Sequence, residues 1–186
     1  MRNEETWEKK IFPKVMLEFS PRLQEDIFKF PIERDVPAFG SYYIYGAIGT
    51  GKTILAANMY IEARKKQYME VINGKFLFVV ADDLFDEVKR SFTKPDFRED
   101  AVDHIDEFDI TDKYAEAAYL VIDDLGSSRF TDWSSAILYR IVNYRYEHLL
   151  PTVFTSNLNL DELGAALGEM RVPSRIKRMG EILKKV

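Results

Sequence analysis

The stretch that most restricts the fold is residues 41–68, where "SYYIY", "GAIGTGKT" and "KTILAANMYIEARKKQY" follow and overlap one another. The first is short and β-rich, and it follows "PAFG", so it reads as a strand. The last has helical periodicity: Leu55, Met59 and Ala63 share one face, and basic residues gather toward its end. A glycine-rich loop between a strand and a helix is the start of an alternating α/β chain.

The alternation continues. "KFLFVVAD" (75–82) is a nearly continuous apolar run, as expected of a buried parallel strand, and "DLFDEVKRSF" (83–92) suits an amphipathic helix. "TKPDFREDAVDHIDEFDI" (93–110) is acidic without a clean period and reads as loop with one helical turn. A short helix is predicted at "DKYAEAA" (112–118) and a buried strand at "YLVIDD" (119–124). "DWSSAILYRIVNYRYEHLL" (132–150) is a strong helix with Ile137, Ile141 and Tyr144 on one face, and "PTVFTSN" (151–157) is a strand. "NLDELGAAL" (159–167) opens with Asn159 and has Glu162 three residues on, a capping-box arrangement. "PSRIKRMGEILKK" (173–185) reads as a final helix with Pro173 in its first turn. Ahead of the pattern, Ser20 and Pro21 start a helix over 20–30. The prediction is an α/β fold: a three-layer core with a mostly parallel sheet and helices on both faces.

A chain of 186 residues fits one domain, and 46% hydrophobic with 31% charged residues fits a globular one. With no Cys, and only His104 and His148, neither a disulfide framework nor a zinc site is expected. No apolar run approaches the roughly 18 residues of a membrane span. "MRNEETWEKK" lacks the apolar core of a secretory signal, so a cytoplasmic protein is expected. A net charge of −5 argues against a broad basic face for DNA and leaves room only for a local basic strip.

"GAIGTGKT" fits G-x-x-x-x-G-K-[ST], and its place between strand and helix is the context the pattern needs. Gly46, Gly49 and Gly51 let the backbone turn, so that the N–H groups of the loop (Gly46, Ala47, Ile48, Gly49, Thr50, Gly51) can face phosphate oxygens. Lys52 reaches the β- and γ-phosphates of ATP, and the Thr53 hydroxyl can sit on Mg²⁺. "YLVIDDLG" places two carboxylates at the C-terminal end of a buried strand, where open α/β sheets bind ligands. Asp123 would hold Mg²⁺ through water, and Asp124 would act as general base on the attacking water. Asn157, closing the next strand, is placed to bond the γ-phosphate or that water. In "EMRVPSRIKR", Arg171 and Arg175 lie four apart, either as an arginine finger for a neighbouring subunit's ATP or as part of a solvated basic helix face.

"GAIGTGKT", "YLVIDDLG", "PTVFTSNLNLDEL" and "SRI" stand in the order and spacing of the AAA+ ATPases of the bacterial helicase-loader group (DnaC and DnaI type) and the related IstB transposition helpers. The resemblance runs from about residue 20 to the end, and "TSNLNLDEL" after "IDDLG" is its most specific part. It implies a P-loop AAA+ domain over 20–186, with ATP bound between subunits of a ring or spiral. It makes Asn157 similar to the sensor 1 residue and Arg175 to the arginine finger, with Arg171 the second candidate. It further implies single-stranded DNA and a replicative hexameric helicase as partners; a compact, phage-encoded loader is the form expected of this chain.

The chain departs from that group in four ways. Residues 1–19, with Trp7, Ile11, Phe12, Val15 and Leu17, stand where a separate helicase-binding region is usual, as a docking segment or as an arm packed on its own domain. A reduced C-terminal lid without a sensor 2 arginine is expected. "GEMRVPSRI" is one residue longer than the usual form. The segment between the second and third strands offers Lys89, Arg90, Lys94 and Arg98 to DNA, but among seven acids, Asp96 to Asp109, that would repel it. Two other functions fit the same motifs: an IstB-like helper binding duplex DNA and a transposase, and a nucleotide-dependent module that regulates a replication protein without loading anything.

Overall fold

A computed structural model of the chain describes residues 3–30, 39–92 and 107–185. Its centre is a five-stranded sheet of β1 (Tyr42–Gly46), β2 (Phe76–Val80), β3 (Tyr119–Asp123), β4 (Thr152–Ser156) and β5 (Glu181–Lys185), in the order β2-β3-β4-β1-β5. Every pairing is parallel. Parallel strands need crossovers, and helices supply them.

Alternate residues of each strand face opposite ways and split the core in two. Tyr43, Leu120, Ile122 and Phe154 face a cluster completed by α5 (Ala81–Phe92), α6 (Glu107–Ala115), α7 (Asp132–Glu147), α8 (Leu160–Leu167) and α9 (Arg171–Met179). Ile44, Tyr119, Val121 and Val153 face a second cluster built from α3 (Pro21–Lys29), α4 (Lys52–Glu70) and the N-terminal helices. The predicted three-layer α/β architecture is the one observed.

The predicted caps of two helices are present. Ser20 Oγ accepts the Leu23 N–H at 3.3 Å, and Asn159 with Glu162 closes a reciprocal capping box. Of the α4 face, Met59 and Ala63 are buried, joined by Ala56, Ala57, Tyr60 and Ile61.

Three expectations are corrected. The final helix ends at Met179, and Glu181–Lys185 form a strand instead. Gly180 brings the chain so close to β1 that a Cβ there would lie 1.8 Å from Ser41 O. Glu181 N–H then donates to the same oxygen at 3.0 Å, and β5 zips along the open edge of β1. Pairing that edge outweighs the helical pattern of five residues. The apolar run of β2 belongs to an edge strand: only Phe76 is buried, and Leu77 to Val80 are half-buried. The helix expected at 112–118 starts earlier, at Glu107, and stops at Ala115. Residues 93–106, with Lys94, Arg98 and most of the acids, lie outside the described residues.

Residues 4–16 are helical: α1 (Glu4–Thr6), a wider π-helical turn (Trp7–Ile11) and α2 (Phe12–Met16). Trp7, Val15, Met16 and Phe19 are buried in the α4-side core, and Leu17 points out at 76% exposure. Among the described residues no helix is long and apolar enough to cross a membrane.

Candidate functional site

β1 runs straight into the glycine loop. Gly46 approaches β5 so closely that a Cβ would meet Lys185 O at 2.0 Å. Gly49 and Gly51 serve a different need. Both have positive φ, +83° and +78°, and a Cβ at either would meet nothing within 4 Å. The demand there is conformational, and the space beside them is open cleft. Gly51 leads into α4 without a side-chain cap, which leaves the first N–H groups of a 19-residue helix facing that cleft.

Lys52 folds back over the loop. Its ammonium donates to Gly46 O at 3.0 Å, Ala47 O at 2.7 Å and Asn157 Oδ1 at 2.8 Å. Burial lowers the Lys52 pKa, and the charges of Asp124 and Asp123 pull partly the other way. Beside it, Thr53 Oγ1 donates to Asp123 Oδ1 at 3.0 Å. Asp123 is buried at the end of β3. Burial raises its pKa, against hydrogen bonds from Thr155 and Thr53. Asp124 follows in the left-handed region, φ +56°, and is half-buried.

Eight of the predicted residues, Ile48, Gly49, Gly51, Lys52, Thr53, Asp123, Asp124 and Asn157, therefore line one cleft of about 1080 Å³. Its far wall comes from the N-terminal side: Glu18, Phe19, Ser20 and the α3 residues Arg22, Leu23 and Asp26. Sequence reasoning missed that wall. Ser20 and Pro21 announce the helix but not what it faces. It also missed Thr155, whose hydroxyl bonds the Asp123 carboxylate and the Asp124 N–H, and which is one of three hydroxyl residues in β4 with nothing local to single it out.

Arg171 and Arg175 are elsewhere. Arg175 Nε donates to Asn143 Oδ1 at 2.6 Å and Nη2 to Tyr139 Oη at 3.1 Å, with the guanidinium 4.8 Å from the Tyr139 ring centroid. Arg171 lies 4.4 Å from the same ring and pairs with Glu169. Neither lines the cleft of its own chain.

The residues fit a nucleoside triphosphate with a hard divalent cation. A left-handed glycine loop at an uncapped helix N-terminus offers N–H groups to phosphate, with one ammonium in reach. The Thr53 hydroxyl and the Asp123 carboxylate, side by side, are the oxygen donors Mg²⁺ takes when it keeps most of its waters. Among the described residues no group of three or more His, Cys, Asp or Glu is placed to hold a metal alone.

A parallel sheet in this order, with a glycine loop between β1 and α4, defines the fold: the P-loop α/β fold of the AAA+ kind. The family described as "IstB-like ATP binding protein" matches residues 42–178, and the chain belongs to it. The replicative helicase loader DnaI of Bacillus subtilis is 27% identical over 122 residues, 65% of this chain and 34% of that protein. The protein described as the ATP-binding protein of insertion sequence IS5376 of Geobacillus stearothermophilus is 27% identical over 124 residues, 67% of this chain and 43% of that one. The chain thus spans less than half the length of either relative. Among solved structures, the DnaC helicase loader matches with a TM-score of 0.61 at 24% identity, over 95% of this chain and 99% of that one. DnaA from Aquifex aeolicus, bound to AMPPCP, matches at 0.59 and 21%, over 88% and 46%.

Proposed function

We propose that the chain is a Mg²⁺-dependent ATPase that serves DNA replication by delivering a replicative hexameric helicase to single-stranded DNA. The observation that carries the ATPase part is the convergence of Lys52, Thr53, Asp123, Asp124 and Asn157, from the start of α4 and the ends of β3 and β4, on the cleft beside an uncapped helix N-terminus. The likeness to DnaI supports the replication part.

In this reading the loop N–H groups of Gly46 to Thr53 hold the β- and γ-phosphates. Lys52 exchanges the Asn157 oxygen for a phosphate oxygen, which frees Asn157 to bond the γ-phosphate or the lytic water. Thr53 and Asp123 hold Mg²⁺, which when bound neutralises charge on the transferring phosphoryl group. Asp124 orients the water and takes its proton. Arg175, held against Tyr139 and away from its own cleft, faces the site of the next subunit, so turnover needs a ring or spiral. Residues 20–186 form the ATPase domain, and residues 1–19 are the segment through which a helicase docks, with Leu17 as its exposed apolar side chain.

Lys52→Ala should abolish ATP binding, read with a fluorescent ATP analogue. Arg175→Ala should leave that affinity in place and remove turnover in the assembled state. Normal turnover by assembled Arg175→Ala would refute the finger assignment. The family match and the insertion-sequence relative favour a second reading, an IstB-like helper on duplex DNA. Stimulation of the ATPase by duplex but not by single strands would select it.

A further inference from the structure

We infer that Thr155 is a positioning residue that aims both carboxylates of the site, an inference that rests on the hydrolysis reading above. Thr155 sits on β4 between the strand that leads to the glycine loop and the strand that carries the acids, and it is 1% exposed. It pairs with Ile44 on the β1 side. On the other side the β3–β4 register runs through Ile122 and Phe154, one step short of Asp123 and Thr155.

Past that point side-chain bonds join the backbone ones. The Asp124 N–H donates to Thr155 Oγ1 at 2.9 Å, and the Leu125 N–H to Thr155 O at 2.8 Å. Ser156 Oγ, the next residue of β4, donates to Leu125 O at 2.6 Å. A hydroxyl has a single proton. That of Thr155 goes to Asp123 Oδ1 at 2.5 Å, the oxygen that also accepts from Thr53 at 3.0 Å. The hydroxyl lone pairs are then free to accept from Asp124. One side chain thereby orients the carboxylate beside Thr53 and pins the backbone of the adjacent acid.

Asp124 needs such a pin. Its φ of +56° is uncommon for a residue with a side chain and persists where surroundings over-determine it. With that backbone turn, Asp124 lines the cleft. Asn157, two residues beyond Thr155, bonds Lys52. The end of β4 therefore touches the ammonium and both acids, and joins the phosphate side of the site to the water side.

A merely structural threonine would affect stability alone. A positioning one also changes turnover and its Mg²⁺ dependence. The test uses the full chain in its assembled, active state and compares Thr155→Val, which keeps shape, with Thr155→Ser, which keeps the hydroxyl. Thr155→Val should lower kcat about ten- to a hundredfold, the scale for losing a partner that orients a ligand. KM for ATP should move by no more than about twofold. The Mg²⁺ concentration for half-maximal binding of a fluorescent ADP analogue should rise. Thr155→Ser should restore both. If Thr155→Val does not fold, Thr155→Ala carries the same comparison. Wild-type kcat and Mg²⁺ response in the hydroxyl-free variant overturn the inference alone, as does a serine variant as impaired as the valine one. A wild-type chain that binds no nucleotide overturns the site reading with it.

Discussion

Two buried cations stand at opposite ends of this sheet, and they are handled differently. Lys52 lies at the C-terminal ends of the strands, with two loop carbonyls and the exposed Asn157 as partners. Arg145, on α7, lies at the N-terminal ends and is fully buried. Its guanidinium donates to Thr152 Oγ1 at 2.7 Å, to Tyr114 O, Ala115 O and Ala117 O at 3.0, 3.1 and 2.7 Å, and to Pro151 O at 2.6 Å. No carboxylate is among those partners. Burial pulls its pKa down to about 9, so it remains charged at neutral pH. Arg145 ties the end of α6 to the start of β4 by fixed backbone acceptors that nothing can displace. Lys52 has partners that a phosphate can displace, in an open cleft. A buried charge alone does not mark a functional site; what matters is whether its partners can be exchanged.

Substitutions at the two ends should behave accordingly. Arg145→Met leaves four backbone carbonyls and a hydroxyl without their donor, and should cost about 3–5 kcal/mol in a urea titration, the scale of a broken buried charged network. A loss below about 1 kcal/mol would mean that water or neighbours replace the guanidinium and would break the contrast. At the same end, Ser41 Oγ accepts the Thr152 N–H at 3.1 Å. Ser41→Ala should cost about 1 kcal/mol, the worth of one such bond. Lys52→Ala should change stability least, because a desolvated ammonium and its loop bonds are lost together. That variant should thus be native in its melting curve and empty of nucleotide, while Arg145→Met should be the reverse in its folded fraction.

Much of the fold was legible in short stretches. The periodicity of α4 and α7, the capping box at Asn159 and the glycine loop are set by residues within a turn or two of one another, where sterics and local hydrogen bonds act directly. The candidate site was legible in part. Pattern placed Lys52 and Thr53 at a helix start and Asp123, Asp124 and Asn157 at strand ends, but gave Thr155 no role, because one of three hydroxyl residues in a five-residue strand does not stand out locally. The errors share a cause. The helix expected over residues 181–185 became β5 because β1 had an open edge, and no window of sequence contains that edge.

By itself, then, the sequence determined most of the elements, the phosphate-loop chemistry and the residue types of the site. Only the tertiary structure decided that Lys52 meets Asn157 across 105 residues and Thr53 meets Asp123 across 70. It alone put α3 opposite the loop as the far wall of the cleft and placed Arg175 on another face. The physical reason is that strand order and close packing are collective: they depend on which edges and faces remain open once every other element has found its partner.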